Sequence, residues 1–127
     1  MVEPWERRVA DILGIDINRK QAGEISAGLP EVSMDNLERY QLYLKHNLNF
    51  PFEATFDLET GPFETTSHRV KVIGLEDMID DFYGLLCTAK EGRRKRIVAV
   101  AEPLVLAKTD PNYQLIDDYL SWFCNYR

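Results

Sequence analysis

The chain has 127 residues, of which 45% are hydrophobic and 28% are charged, a composition typical of one folded domain and unlike that of a disordered segment. It carries 21 Asp and Glu against 15 Lys and Arg, a formal net charge of -6. Its average field therefore attracts cations and disfavours a nucleic-acid partner. The N-terminal segment lacks the basic and apolar regions of a signal peptide, and no apolar run is long enough to cross a membrane. We expect a single soluble, cytoplasmic domain over residues 1–127.

Two helices are predicted in the first part of the chain. Pro4 suits a first helical turn and Gly14 a C-terminal cap, so the apolar residues at helical spacing between them predict a helix over Pro4 to Leu13. Ser33 is a plausible N-cap for a second helix over about residues 34–47. The polar stretch from Gly14 to Val32 is interrupted by glycine and proline and is expected to be a linker.

Strand patterns follow the second helix. In Phe52 to Asp57 apolar and polar residues alternate, which is the period of a half-buried strand. Further strands are expected at His68 to Ile73, Phe82 to Thr88 and Arg96 to Ala101. Short strands joined by tight turns favour a small bent sheet or barrel over a large sandwich.

A last helix is predicted to open at Asp110-Pro111, with an apolar face that contains Ile116, Tyr119, Phe123 and Tyr126. Asp110 is most simply an N-cap or a partner of the helix dipole. Asp117 and Asp118 lie off the apolar stripe and are expected at the surface, although Asp118 could reach a neighbouring loop. The order of helices, strands and a final helix predicts the α+β class.

Cysteine and histidine are too scattered for a zinc site or a disulfide framework. Cys87 and Cys124 form no close pair, and His46 and His68 are isolated from each other and from the cysteines. Both thiols are expected to be buried.

A basic run, Arg93-Arg94-Lys95-Arg96, goes against the acidic average. Such clusters can bind nucleic acid. However, Glu91-Gly92 before the run has turn chemistry, and Ile97 to Val100 after it resembles a strand. We expect these charges to lie on a solvated hairpin.

The most distinctive feature is an acidic segment between two predicted strands, which contains Glu76, Asp77, Asp80 and Asp81. Calcium takes six to eight oxygen ligands, and carboxylates supply several of them. Crowded like charges also cost free energy that a bound cation would offset. The residues alone leave two interpretations open, a solvated acidic connection and a cation site.

Other sites of chemistry are poorly supported. Asp57 to Gly61 begins like an EF-hand loop, but its glycine falls one position early and His68 stands where a bidentate glutamate belongs. No phosphate-binding glycine loop and no nucleophile elbow occurs in the sequence. A hydrolase that uses Asp80 and Asp81 as an acid pair is therefore the least favoured function.

Three stretches together resemble a known family. A tyrosine-rich helix, Tyr40 to Leu44, runs into Leu48 to Ala54, a Leu-x-Phe-Pro-Phe-x-Ala segment. This junction resembles the helix-to-strand signature of the CcbP-type family, small prokaryotic calcium-binding proteins without EF-hands. Val70 to Leu75, followed by acids, resembles the next strand and acidic loop of that family, and Gln114 to Trp122 its closing helix. The resemblance covers about residues 34–127 and leaves residues 1–33 as an N-terminal helix and linker.

The resemblance implies a small bent antiparallel β-barrel of the Src-homology type, flanked by N-terminal helices and a C-terminal helix. It implies Ca2+ held by surface carboxylates and no catalytic residues. The acids that match the family's acidic loop are Glu76, Asp77, Asp80 and Asp81, and Asp110 is a further ligand candidate at the entry to the last helix. The leading function is thus a calcium buffer or sensor. The alternative is an acidic protein-interaction module without a metal.

Overall fold

The computed structural model describes residues 2–15, 28–101 and 104–127, apart from the side chains of residues 58–60 and 65. These residues form three helices and five strands: α1 (Pro4–Leu13), α2 (Met34–Asn47), β1 (Phe52–Gly61), β2 (Glu64–Asp80), β3 (Gly84–Glu91), β4 (Arg94–Ala99), β5 (Leu104–Val105) and α3 (Tyr113–Asn125). Among the described helices, none has the length and apolarity to cross a lipid bilayer. Residues 16–27 of the predicted linker lie outside the described residues.

The strands form one antiparallel sheet in the order β4-β3-β2-β1-β5. Helices flank an antiparallel sheet, which confirms the predicted α+β class. Within the described ranges β4 and β5 pair on one side only. The sheet is therefore open, and the predicted closure into a barrel is not confirmed.

Helices α1 and α2 occupy their predicted ranges because local capping signals bound them. The Ser33 hydroxyl accepts a hydrogen bond from the Asn36 amide at 3.3 Å, and Gly14 is the C-cap of α1. Helix α3 begins at Tyr113, later than predicted, because Asp110 first closes a turn by accepting a 2.7 Å hydrogen bond from the Asn112 amide. Asn112 holds the N-cap position, so the interpretation of Asp110 as the N-cap is wrong.

The predicted strand boundaries need one correction that bears on function. The chain does not leave the sheet after Ile73; β2 continues to Asp80 and pairs with β3 over much of that length. Most of the acidic segment therefore belongs to a strand. Strand β3 starts at Gly84, and Phe82, the predicted first residue of this strand, lies in the turn before it.

The core lies between the helices and one face of the sheet. Its largest fully buried side chains are aromatic: Trp122 stacks on Tyr40 at 5.4 Å between ring centroids, and Tyr119 meets Tyr40 edge-on at 5.2 Å. Phe52 and Phe56 of β1 are buried, as predicted. Burying large aromatic side chains supplies most of the stabilisation available to a domain of this size.

The two thiols differ. Cys87 of β3 is fully buried, and burial raises the pKa of its thiol to about 12, so it stays protonated and inert. Cys124 is exposed, and the expectation that it is buried is wrong.

Helix α1 joins the core through apolar residues and one partly buried ion pair. Arg8 donates from Nε to Asp118 at 2.6 Å and from Nη2 at 3.0 Å, a two-pronged contact between α1 and α3. The hydrogen bond to Asp118 raises the pKa of Arg8. Asp118 is only 3% exposed, so its expected place at the surface is wrong.

Candidate metal centre

The acidic segment sits in a bulge and a turn at one end of the sheet. β2 and β3 are in register at Leu75 opposite Cys87 and again at Ile79 opposite Leu85. Three residues of β2 therefore oppose one residue of β3. Bulges of this kind re-aim side chains and end regular pairing. Because of the bulge, the side chains of Glu76 and Asp77 do not follow the regular two-residue alternation of β2.

Helix α2 anchors the bulge. The Gln41 amide group donates from Nε2 to the carbonyl of Glu76 at 2.8 Å and to the carbonyl of Asp77 at 3.0 Å. One turn later, Lys45 forms an ion pair with the exposed Asp77 carboxylate. The hydrogen bond from Lys45 holds the pKa of Asp77 below its usual value. A metal ion at Asp77 would therefore compete with this ammonium.

Glu76 already has a partner on the neighbouring strand. Its Oε1 accepts a hydrogen bond from the Thr88 hydroxyl of β3, and its side chain is only half-exposed. This carboxylate is thus oriented by the sheet.

Asp80 organises the β2–β3 turn. Its Oδ1 accepts hydrogen bonds from the amides of Phe82 at 2.8 Å and Tyr83 at 2.7 Å. The hydrogen bond from the Tyr83 amide, and to a smaller extent that from the Phe82 amide, holds the pKa of Asp80 below its ordinary value, because both stabilise the charged form. Asp81 is exposed and forms no ion pair or hydrogen bond within the described parts of the chain.

The turn is pressed against helix α3. Gly84 has φ +73°, and a β-carbon there would lie 2.5 Å from Phe123 and 2.6 Å from the Tyr119 hydroxyl. The same hydroxyl accepts a 3.0 Å hydrogen bond from the Leu85 amide. Close packing at Gly84 therefore fixes where Asp80 and Asp81 stand relative to the core.

The positively charged side chain of Arg127 lies beside this turn. The Arg127 guanidinium stacks over Phe82 at 4.8 Å and Phe123 at 4.6 Å from the ring centroids. It also donates to the Phe82 carbonyl at 2.5 Å. The turn thus accepts a positive group through an aromatic face and a carbonyl oxygen.

Asp110 lies before the N-cap of α3 and away from the β2–β3 turn that contains Asp80 and Asp81. It precedes the first residue of α3, Tyr113, to whose amide its carbonyl is bonded at 3.0 Å, whereas the β2–β3 turn packs on Phe123 near the far end. At about 1.5 Å per residue, Tyr113 and Phe123 are roughly 15 Å apart along α3. Asp110 and Asp80 therefore cannot share one ion.

The donor atoms suit calcium, although they are not gathered into a finished cage. In the described residues, no group of three or more His, Cys, Asp and Glu side chains is arranged to hold a metal ion. Carboxylate and carbonyl oxygens are nonetheless the hard donors that calcium prefers. At the turn, Asp81 and the second carboxylate oxygen of Asp80 are oxygen donors of this kind. The assignment of all five predicted ligands stays a prediction.

Sequence reasoning missed the residues that position the acids. Gln41, Lys45, Thr88 and Tyr119 act through contacts with chain segments that are distant in sequence. Their own local patterns carry no sign of this role, because each sits at an ordinary helix or strand position.

Comparison with known proteins identifies a matching protein family. The CcbP family model, described as calcium binding, matches residues 30–123, a range that contains every predicted ligand residue and excludes α1. No curated protein and no solved structure shows detectable similarity to the chain. The match supports Ca2+ as the bound ion. Because it spans well over half of the 127 residues, the chain belongs to the CcbP family of calcium-binding proteins.

Proposed function

We propose that this chain binds Ca2+ through surface carboxylates of the β2–β3 turn, with Asp80 and Asp81 as the principal ligands and outside any EF-hand. One observation carries the proposal. The Asp80 carboxylate is fixed through Oδ1 by two backbone amides, while its other oxygen has no partner among the described residues. A carboxylate held ionised and oriented in this way is a preformed calcium ligand.

The remaining acids have secondary roles. With one free oxygen on Asp80 and one or two on Asp81, the two adjacent carboxylates supply about two or three of the six to eight oxygens that calcium needs, so water completes the shell. Asp77 joins the shell when the ion displaces Lys45, and Glu76 when it exchanges its bond to Thr88. Asp110 requires a separate ion. With few charged ligands, the expected dissociation constant is about 10⁻⁴ to 10⁻³ M, the range of weak surface sites.

The geometry favours a calcium buffer over a sensor. The hydrogen bonds of the turn and its packing on α3 are made by protein groups alone, so the turn is held in place by contacts that involve no ion. A sensor needs two conformations that differ in their affinity for the ion. A buffer role predicts that calcium leaves the fluorescence of the buried Trp122 unchanged. Membership of a calcium-binding family agrees with a role that is not enzymatic.

A calorimetric titration of metal-free protein with calcium tests the site. The variant Asp80→Asn/Asp81→Asn should bind calcium at least about tenfold more weakly, because affinity follows the number of charged ligands. The variant Asp11→Asn/Asp117→Asn removes the same charge from exposed positions elsewhere and should bind normally. Equal affinities in the two variants would move the site away from the turn. An absence of heat in the native protein would contradict calcium binding itself.

A second candidate function rests on a different property of the same turn. Met78, Phe82 and Tyr83 are 65%, 63% and 57% exposed, and the Phe82 ring already contacts the Arg127 guanidinium. Exposed apolar side chains beside acids are typical of a surface that docks a basic protein segment. This role predicts that Phe82→Ala abolishes capture of such a segment without changing calcium affinity.

A further inference from the structure

Three lysines lie side by side on the exposed face of the sheet. Lys71 of β2 is directly opposite Lys90 of β3, and Lys90 is directly opposite Lys95 of β4. Directly paired residues project from the same face with their β-carbons about 4.5–5.5 Å apart. All three side chains are exposed. They form a continuous basic row across three strands, which we call the lysine row.

The lysine row is only partly neutralised by the described part of the chain. None of its members forms an ion pair there. Glu53 of β1 stands opposite Lys71 and offsets charge at that end of the row, whereas among the described residues no acid is paired with Lys90 or Lys95. Like charges directly opposite one another across strands are destabilising. A chain with a net charge of -6 thus keeps two adjacent positive charges, Lys90 and Lys95, that no paired acid of the described residues compensates.

Edge protection explains only part of this arrangement. Lysine on an edge strand discourages pairing with other strands, and Lys95 lies on the edge strand β4. Lys71 and Lys90 lie on β2 and β3, which are paired on both sides. They contribute nothing to guarding an edge, so the row needs another explanation.

The basic run of β4 divides between the two faces. Arg96 lies over the Phe56 ring at 5.6 Å and donates to Glu91 at 3.4 Å. Its side chain is therefore directed to the inner face of the sheet. Lys95 and Ile97 project to the opposite face, and Ile97 is 58% exposed. The β4 edge, which pairs with no further strand of the described residues, therefore presents Lys95 and then the apolar Ile97 on its outer face.

We propose that the open edge of β4 and the lysine row dock an extended acidic protein segment as an added strand. An acid of that segment lies beside Lys95 and extends the row, and an apolar residue lies beside Ile97. Backbone hydrogen bonds along the edge supply affinity, and the alternating side chains supply specificity. The charges that repel basic strands select an acidic one. The negative net charge of the whole chain disfavours a longer polyanion such as nucleic acid.

The test uses a fluorescently labelled ten-residue peptide in which glutamate alternates with valine. Its binding is followed by fluorescence anisotropy at low and at physiological salt, and hydrogen exchange of the β4 amides is measured with and without peptide. Reversing two charges of the row in Lys90→Glu/Lys95→Glu should weaken binding at least about tenfold. The matched control Arg7→Glu/Lys108→Glu changes the net charge equally at exposed positions outside the sheet and should weaken it less than about twofold. Peptide should also slow exchange of those β4 amides that do not bond β3.

Equal losses in both variants would overturn the proposal, because attraction would then be a matter of net charge. Unchanged exchange of the β4 amides would overturn it as well. Tighter binding of a single-stranded oligonucleotide than of the peptide would replace it with a nucleic-acid site. The milder Lys90→Gln/Lys95→Gln variant supplies the comparison if the reversed variant does not fold. None of these outcomes depends on Asp80 or Asp81, so they are separate from the test of calcium binding.

Discussion

The substitution Gly84→Ala tests how the acidic turn is fixed to the core. Gly84 has φ +73°, and an added β-carbon would meet Phe123 at 2.5 Å and the Tyr119 hydroxyl at 2.6 Å. A non-glycine residue in the left-handed region costs about 1–2 kcal/mol. Forcing a methyl group against packed rings costs a further 1–3 kcal/mol or so. The free energy of unfolding should therefore fall by about 2–5 kcal/mol.

Substitutions at Gly92 and Gly74 separate the cost of the left-handed backbone from the cost of the packing clash. Gly92 has φ +60° but faces open space, so Gly92→Ala should lose only the backbone cost of about 1–2 kcal/mol. Gly74 has open space and no left-handed backbone, so Gly74→Ala should change stability by less than about 0.5 kcal/mol. The assay is urea unfolding with linear extrapolation, provided that the m-values agree. If Gly84→Ala loses no more stability than Gly92→Ala, the packing of α3 over the turn is not what fixes it.

Three further predictions concern the core, the α1–α3 contact and the acid limb of stability. Phe52→Ala should cost about 3–5 kcal/mol by the usual penalty for a deleted buried aromatic, and a loss below about 1 kcal/mol in urea unfolding would show that the ring is not core. Arg8→Met should lower the free energy of unfolding by about 1–3 kcal/mol, because the Asp118 charge stays buried without its partner; the loss is limited because Arg8 was partly solvated. The double variant Arg8→Met/Asp118→Leu should regain most of this stability. Thermal melts in which the double variant is no more stable than Arg8→Met would contradict the reasoning. Because the pKa of Asp80 is lowered in the folded state, its stabilisation is present above its ordinary pKa of about 3.9 and is lost as the pH falls through the lowered value. Asp80→Asn should therefore flatten the acid limb of stability against pH, and an unchanged limb would count against the two amide bonds.

The helices could be predicted from sequence because their signals are local. Pro4 and Gly14 bound α1, and Ser33 caps α2. The α+β class follows from the order of periodic segments. The short strand β5 has no such signal, since two residues are too few to show a period.

The acidic segment could be identified from sequence, but its conformation could not. The bulge in β2 breaks the period of two that marks a strand, so the segment resembles a loop. What keeps it in the sheet is pairing with β3 and the hydrogen bonds from Gln41 of α2. These contacts join residues that are far apart in the chain, and no local pattern encodes them.

The burial of Asp118 could not be predicted for the same reason. Its position off the apolar stripe of α3 is typical of a surface residue. Its partner, Arg8, lies 110 positions earlier. Asp118 is buried and paired with the Arg8 guanidinium only because α1 packs against α3.

Thermal unfolding in the presence of calcium tests the central claim most directly. If calcium binds only the folded chain, a concentration of one hundred times the dissociation constant should stabilise it by about 2.7 kcal/mol. For a domain of this size, that corresponds to a rise of roughly 10 °C in melting temperature. Magnesium should give a smaller rise, because it demands tight octahedral coordination and dehydrates reluctantly. Sodium chloride of matched ionic strength should give only the screening contribution. Equal shifts with calcium, magnesium and sodium would contradict a specific calcium site.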